Sequence, residues 1–194
     1  DGGEGGTGAA PPSFADHVSL PWVYGFSDLY KMFQAKGLSE HLVFIGSGKL
    51  GFPAKAAMAF AMGVDCINVA REAMMSIGCI QAQICHTNRC PSGVATQSQW
   101  LQNGINVPLK SERLAQYFRT FRKEFIEITH AAGYEHPSQF KMSDMEMNVD
   151  DHNLSKNLDN AYSYVKTPVP FNGVKELQDC PYLGGQNKRA MEGR

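Results

Sequence analysis

No stretch of this sequence approaches the ~20 consecutive apolar residues that a membrane-spanning helix needs, so no membrane span is expected in this segment. There is no basic stripe either: 18 Lys and Arg stand against 19 Asp and Glu, for a formal net charge of -1. A nucleic-acid surface draws on clustered excess cations, so that class is set aside. Cysteine is scarce, and its number, five, is odd, which fits poorly with the disulfide framework of a secreted domain. The opening Asp1-Gly2-Gly3-Glu4 carries no charged-then-apolar leader, and a chain that opens inside a glycine loop reads as a piece of something longer. What is there suffices for a core: 194 residues, 43% hydrophobic and 19% charged, make one or at most two domains.

Residues 1–12, DGGEGGTGAAPP, read as a loop, since five glycines and two prolines leave no periodic apolar face. Whether this loop lets the backbone approach a flat ligand or is only a flexible surface segment stays open. From about Tyr24 to Ala35 the apolar positions Phe26, Leu29, Tyr30 and Phe33 recur at helical spacing, with Gly37 as the stop. Leu42-Val43-Phe44-Ile45 is a continuous apolar run, as expected of a strand buried on both faces. A helix opened by Pro53 follows and ends at Gly63. A second strand over residues 65–69 contains Cys66, read as a core residue, and a short helix over 70–77 leads to the cysteines. This alternation points to an α/β architecture with parallel strands, in a (β/α) barrel or a doubly wound sheet. Residues 98–109 read as a connecting loop. Ser111 is placed to cap a long amphipathic helix carrying Leu114, Tyr117, Phe118, Phe121, Phe125, Ile128 and Ala132 and closed by Gly133. Residues 136–194 read as a tail, partly helical near 142–148 and 154–164.

The chemistry is concentrated in Cys79-IQAQI-Cys85-HTNR-Cys90-Pro91. Thiolates are soft ligands that select iron–sulfur clusters, zinc or copper(I), and three of them within twelve positions suggest a metal centre in a reducing compartment. Three ligands on one short loop suit a cuboidal iron–sulfur cluster with one corner missing, whereas a full four-iron cube takes four. Zinc on Cys79, Cys85, Cys90 and His86 has the right ligand count, although adjacent Cys85 and His86 close a tetrahedron poorly. Three unliganded thiols are the remaining alternative. The other histidines, scattered along the chain, read as surface or helix-face residues.

Gly46-Ser47-Gly48-Lys49-Leu50-Gly51 formally matches the dinucleotide fingerprint G-x-G-x-x-G. The acid that should end the next strand is missing, because Asp65 opens that strand. A Walker loop fails as well, since Leu50 follows the lysine. Two readings remain level. Backbone N–H groups of Gly46, Ser47 and Gly48 could bind one phosphate, with Arg71 facing it from beyond the next strand. Alternatively the glycines serve only the conformation of a tight turn.

Taken together, DGGEGGTGAAP, GSGKLG and AMGVDCINVAREAMMSIGCIQAQICHTNRCPSGVATQ resemble the FMN-binding synthase domain of the glutamate synthases, in particular the shorter FMN-binding glutamate synthase-like proteins. The resemblance covers roughly residues 1–133, and GCIQAQICHTNRCPSGVATQ is its most specific part. It implies that residues 1–135 are the C-terminal portion of a (β/α)8 TIM barrel, with an iron–sulfur loop over 79–95, followed by a helical and irregular tail over 136–194. It implies FMN at the C-terminal ends of the strands, its phosphate on Gly46, Ser47, Gly48 and Arg71, and a 3Fe-4S cluster on Cys79, Cys85 and Cys90. The reaction implied is reductive formation of L-glutamate from 2-oxoglutarate and glutamine-derived ammonia in the cytoplasm. Electrons would come from an NADPH-oxidising small subunit or from ferredoxin. An N-methylglutamate synthase-like enzyme on the same barrel, or a non-enzymatic zinc-stapled module, are the alternatives. A whole barrel takes roughly 250 residues, so the substrate-binding residues are expected upstream, in the rest of the barrel, and this segment alone is expected to be inactive.

Overall fold

Pro21 sets the start of the first long helix. Its φ of -53° suits the entry to a helix, and the helix runs Trp22–Ala35, two residues earlier than the apolar spacing alone suggests. The computed structural model describes residues 10–18, 20–148 and 154–168. The expectations for the opening glycine loop through residue 9 and for the tail beyond 168 lie outside the described residues. In chain order the elements are α1 (Pro12–His17), α2 (Trp22–Ala35), β1 (Ile45–Ser47), α3 (Pro53–Met62), β2 (Cys66–Asn68), α4 (Arg71–Ser76), α5 (Gln99–Gln102), α6 (Val107–Ala131), β3 (Glu146–Asn148), β4 (Ser155–Asn157) and α7 (Leu158–Tyr162). No helix among the described residues is long and apolar enough to cross a membrane.

β1 and β2 pair in parallel, Ile45 with Cys66, Gly46 with Ile67 and Ser47 with Asn68, and α3 is the crossover between them. This is the expected α/β alternation. Among the described residues the strands form two separate two-stranded sheets, β1-β2 and β3-β4, and no closed barrel.

The first strand sits later than expected. Leu42 and Val43 precede the ladder, which starts where Asp65 N–H and Cys66 N–H donate to the Phe44 carbonyl (2.9 and 3.2 Å). Only one face of β1 is covered, so Val43 is 72% and Ile45 61% exposed while Phe44 is 7% exposed. Cys66, paired with Ile45, is likewise exposed rather than core. Strand alternation puts Ile45 and Cys66 on the uncovered face.

α3 is built from small residues because it is buried between neighbours. Ala56, Ala57, Ala59, Ala61 and Met62 are each at most 1% exposed. It ends at Gly63, whose φ of 111° and close approach to the Tyr30 ring leave no place for a side chain. One side of α3 meets Trp22, Tyr30, Phe44 and Val64 in a shared core; the other meets Phe125 and Phe140.

α6 starts four residues before Ser111. Asn106 is its cap, accepting from Leu109 N–H at 3.1 Å, and Pro108 fits its first turn. Ser111 lies inside the helix and donates to the Pro108 carbonyl. The segment 98–109, expected as loop, therefore holds α5 and the first turn of α6. Phe121, Phe125 and Ile128 pack on α3 as the spacing predicts, while Phe118 is 43% exposed.

The segment after 136 packs back on this core. Residues 146–148 and 155–157 form an antiparallel pair instead of helices, and a helical turn survives at Leu158–Tyr162. Met145 and Met147, two residues apart, both pack on the core, which is a strand period rather than a helical one. Residues 164–167 then cross the end of α3. Tyr164 donates to the Met62 carbonyl at 2.9 Å. Buried Lys166 donates to the carbonyls of Phe60, Ser138 and Phe140 at 2.9, 2.6 and 3.2 Å.

Candidate functional site

The cysteine loop hangs from the end of α4. Gly78 breaks the helix with a φ of 111°, and the Cys79 N–H donates back to the Met74 carbonyl at 3.0 Å. Cys79 is thereby fixed to a helix end, not left on a free loop. Beyond it the chain coils tightly. Gln81, Gln83 and Asn88 all take left-handed φ values of 55–62°, which non-glycine residues adopt at a cost. Cys85 opens a single 3₁₀ turn, Cys85–Thr87. Asn88 then ties the far side of the loop. Its carbonyl accepts from Thr96 Oγ1 at 2.6 Å, and its side-chain oxygen accepts from Gln97 N–H at 2.6 Å.

This coil brings Cys79, Cys85 and Cys90 together. All three line one narrow cavity, walled also by Met74, Ile84 and Val94. Cys79 and Cys85 are half-buried and Cys90 is buried. Burial alone would raise the Cys90 thiol. Hydrogen bonds from the Ser92 hydroxyl and from the backbone N–H groups of Ala95, Ser92 and Val94 outweigh it, and the thiol ionises below its ordinary range. The loop thus stabilises negative charge on a buried sulfur, which is what a thiolate ligand needs.

The placement of these residues selects neither zinc nor a cluster. Among the described residues no group of three or more His, Cys, Asp or Glu side chains is placed to hold one metal ion. A single zinc ion draws its sulfurs to about 2.3 Å from one centre. A polynuclear cluster gives each thiolate its own iron and leaves the sulfurs farther apart around a common core. The cavity holds only about 10 Å³, room for about one water, so an inorganic core would have to part its walls.

The glycine segment lies at the C-terminal end of the parallel pair, but not wholly after the strand. Gly46 and Ser47 belong to β1 itself. Gly46 is glycine because a Cβ there would meet Val64 and Leu50. Gly48 follows with a φ of 153°, its missing side chain replaced by the Trp22 ring. Gly51 is enclosed in the same way: a Cβ would stand 2.6 Å from Tyr117 Oη and 2.7 Å from Glu72. Tyr117 reaches from α6 to donate to the Gly51 carbonyl at 2.7 Å. Burial, aided by the Glu72 charge, pushes its phenol up to about 12, so it remains a donor across the working range. Packing therefore accounts for these glycines directly. Arg71 begins α4, three residues after Asn68, the partner of Ser47 in the ladder. Gly46, Ser47, Gly48 and Arg71 are thus gathered at the C-terminal ends of two adjacent strands. The six residues of α4 rise roughly 9 Å from there toward the cysteine loop.

The clasp at Asn88, the Tyr117 bond and the buried Glu72 were not foreseen from the sequence. Each joins residues whose spacing carries no signal, except that Asn, among non-glycine residues, most readily takes a left-handed turn.

Residues 1–135 match the family model described as the conserved region in glutamate synthase. The chain is 39% identical over 160 residues to the glutamate synthase large subunit-like protein YerD of Bacillus subtilis, covering 82% of this chain and 30% of that protein. It is 32% identical over 189 residues to the ferredoxin-dependent glutamate synthase of Cyanidium caldarium, 97% of this chain and 12% of that one. It is 32% identical over 133 residues to the archaeal NADPH glutamate synthase of Methanocaldococcus jannaschii, 69% of this chain and 26% of that one. The chain thus spans less than a third of each of these relatives.

Proposed function

The chain belongs to the glutamate synthase family, and we propose that it forms the C-terminal part of that family's FMN- and iron–sulfur-binding (β/α)8 barrel. Residues 1–135 would be barrel and residues 136–194 its C-terminal tail. The observation that carries the reading is the convergence of Cys79, Cys85 and Cys90 on one cavity. A second support is the uncovered face of the β1-β2 pair, with the paired Ile45 and Cys66 exposed, as expected of strands taken from a closed sheet.

Cys79, Cys85 and Cys90 would hold a 3Fe-4S cluster, with the N–H groups of Ser92, Val94 and Ala95 stabilising charge at the Cys90 sulfur. Backbone N–H groups of Gly46, Ser47 and Gly48 and the Arg71 guanidinium would bind the FMN phosphate, in the place where (β/α)8 barrels bind phosphates. When bound, flavin and cluster supply the redox chemistry by which electrons from ferredoxin or an NADPH-oxidising subunit form L-glutamate from 2-oxoglutarate and glutamine-derived ammonia. The part played by this segment is placement. α4 joins the phosphate end to the cysteine loop as one short rigid piece, and Tyr117 and Trp22 hold the glycine segment from the outside.

The full-length protein tests this. Its visible spectrum should show flavin bands over broad iron–sulfur absorption, with FMN released on denaturation. Cys85→Ser should lose the broad absorption. A folded, colourless and metal-free protein would defeat the proposal.

A further inference from the structure

Gly78 lies directly before Cys79, and the space its side chain would take is filled. A Cβ built there would stand 2.7 Å from Lys110 Nζ. Lys110 belongs to the first turn of α6, which packs against α4. Its ammonium therefore crosses from α6 to the root of the cysteine loop.

The position is an unusual one for a cation. A helix N-terminus carries roughly half a positive charge, so its first turn favours acids and disfavours lysine. α6 has no acidic residue in that turn. Residues 73–111 contain Arg89, Lys110 and His86 but no Asp or Glu, with Glu72 and Glu112 flanking that stretch. Lys110 brings positive charge to the root of a loop whose three thiols line one cavity. Such an arrangement is favourable when the loop carries net negative charge, and three thiolates on an iron–sulfur core supply it.

We propose that Lys110 is the electrostatic counterpart of the cluster and raises its reduction potential. The inference rests on the cluster reading above. One-electron reduction adds one negative charge to the cluster, and a cation fixed at the root of its loop stabilises the reduced form more than the oxidised one. Lys110 is a tuning residue, not a ligand, so iron content is independent of it.

The test is a potentiometric titration of the full-length protein, followed by electron paramagnetic resonance, on wild type, Lys110→Met, Lys110→Gln and Lys110→Arg. Iron and sulfide are measured on each. Both neutral variants should keep the cluster and shift its midpoint to lower potential, Lys110→Arg should stay near wild type, and the gap should narrow as salt is added. Either neutral variant with a full cluster and an unchanged midpoint overturns the proposal while leaving the cluster reading standing. Wild-type protein without iron removes the cluster reading itself, and the proposal with it.

Discussion

Tyr117 shows how a single side chain from a distant helix can fix a loop. Its hydroxyl bonds the Gly51 carbonyl across 66 positions of sequence, and no spacing rule announces such a pair. Tyr117→Phe should lower stability by about 1 kcal/mol, the usual value of one such bond. Gly51→Ala should cost more, because its Cβ would collide with both Tyr117 and Glu72. Denaturant titration of the full-length protein ranks the two. His136 gives a pH signature. Burial, with the Lys166 charge added, holds its imidazole below the ordinary range, and its Nδ1 accepts from the Ser138 N–H at 3.2 Å. Over the window below the ordinary histidine pKa of about 6.5, the unfolded chain then binds more protons than the folded one. Stability should therefore fall as pH drops through that window, and His136→Gln should flatten the slope in thermal melts taken at a series of pH values. An identical slope in the variant would assign the effect elsewhere. At this scale the sequence disclosed the three clustered cysteines, because ligands on one loop are near in both sequence and space. It did not disclose the Asn88 clasp or the Lys110 contact, which depend on how separate elements meet.

Elements were legible where their signals are local. Pro53 and Gly63 bound α3 as proline and glycine chemistry dictates, and the β1-α3-β2 unit follows from the alternation of apolar runs. Boundaries shifted where tertiary contacts decide. Leu42 and Val43 look like strand, yet the ladder starts only where β2 lies alongside. Ser111 looks like a cap, but Asn106 takes that role one turn earlier. Asn106→Ala should thus cost about 1 kcal/mol, whereas Ser111→Ala should be nearly neutral; chemical denaturation distinguishes the pair, and the reverse ranking would contradict the observed start of α6. The segment after 136 was the least legible, since Met142, Met145 and Met147 serve both a turn and a strand in a polar context. What anchors it is Lys166, with three carbonyl partners on two other parts of the chain. Lys166→Met should be strongly destabilising, because it leaves those buried acceptors unsatisfied.

At the scale of the whole molecule, the account turns on an open face and a closed loop. Ile45 and Cys66 are paired and exposed on the same side of the sheet, which the remaining barrel would cover. Peptide-resolved thiol labelling should therefore find Cys66 protected in the native full-length protein and reactive once it is unfolded. Prompt labelling of Cys66 in the native state would count against a closed barrel. The loop matters more, because the assignment of redox chemistry stands on it. Its most direct test is elemental analysis of the full-length protein, for iron, acid-labile sulfide and zinc, in wild type and in Cys79→Ser, Cys85→Ser and Cys90→Ser. The account predicts about three iron and four sulfide per chain, lost in each variant. One zinc per chain without sulfide, or iron that survives all three substitutions, would contradict it.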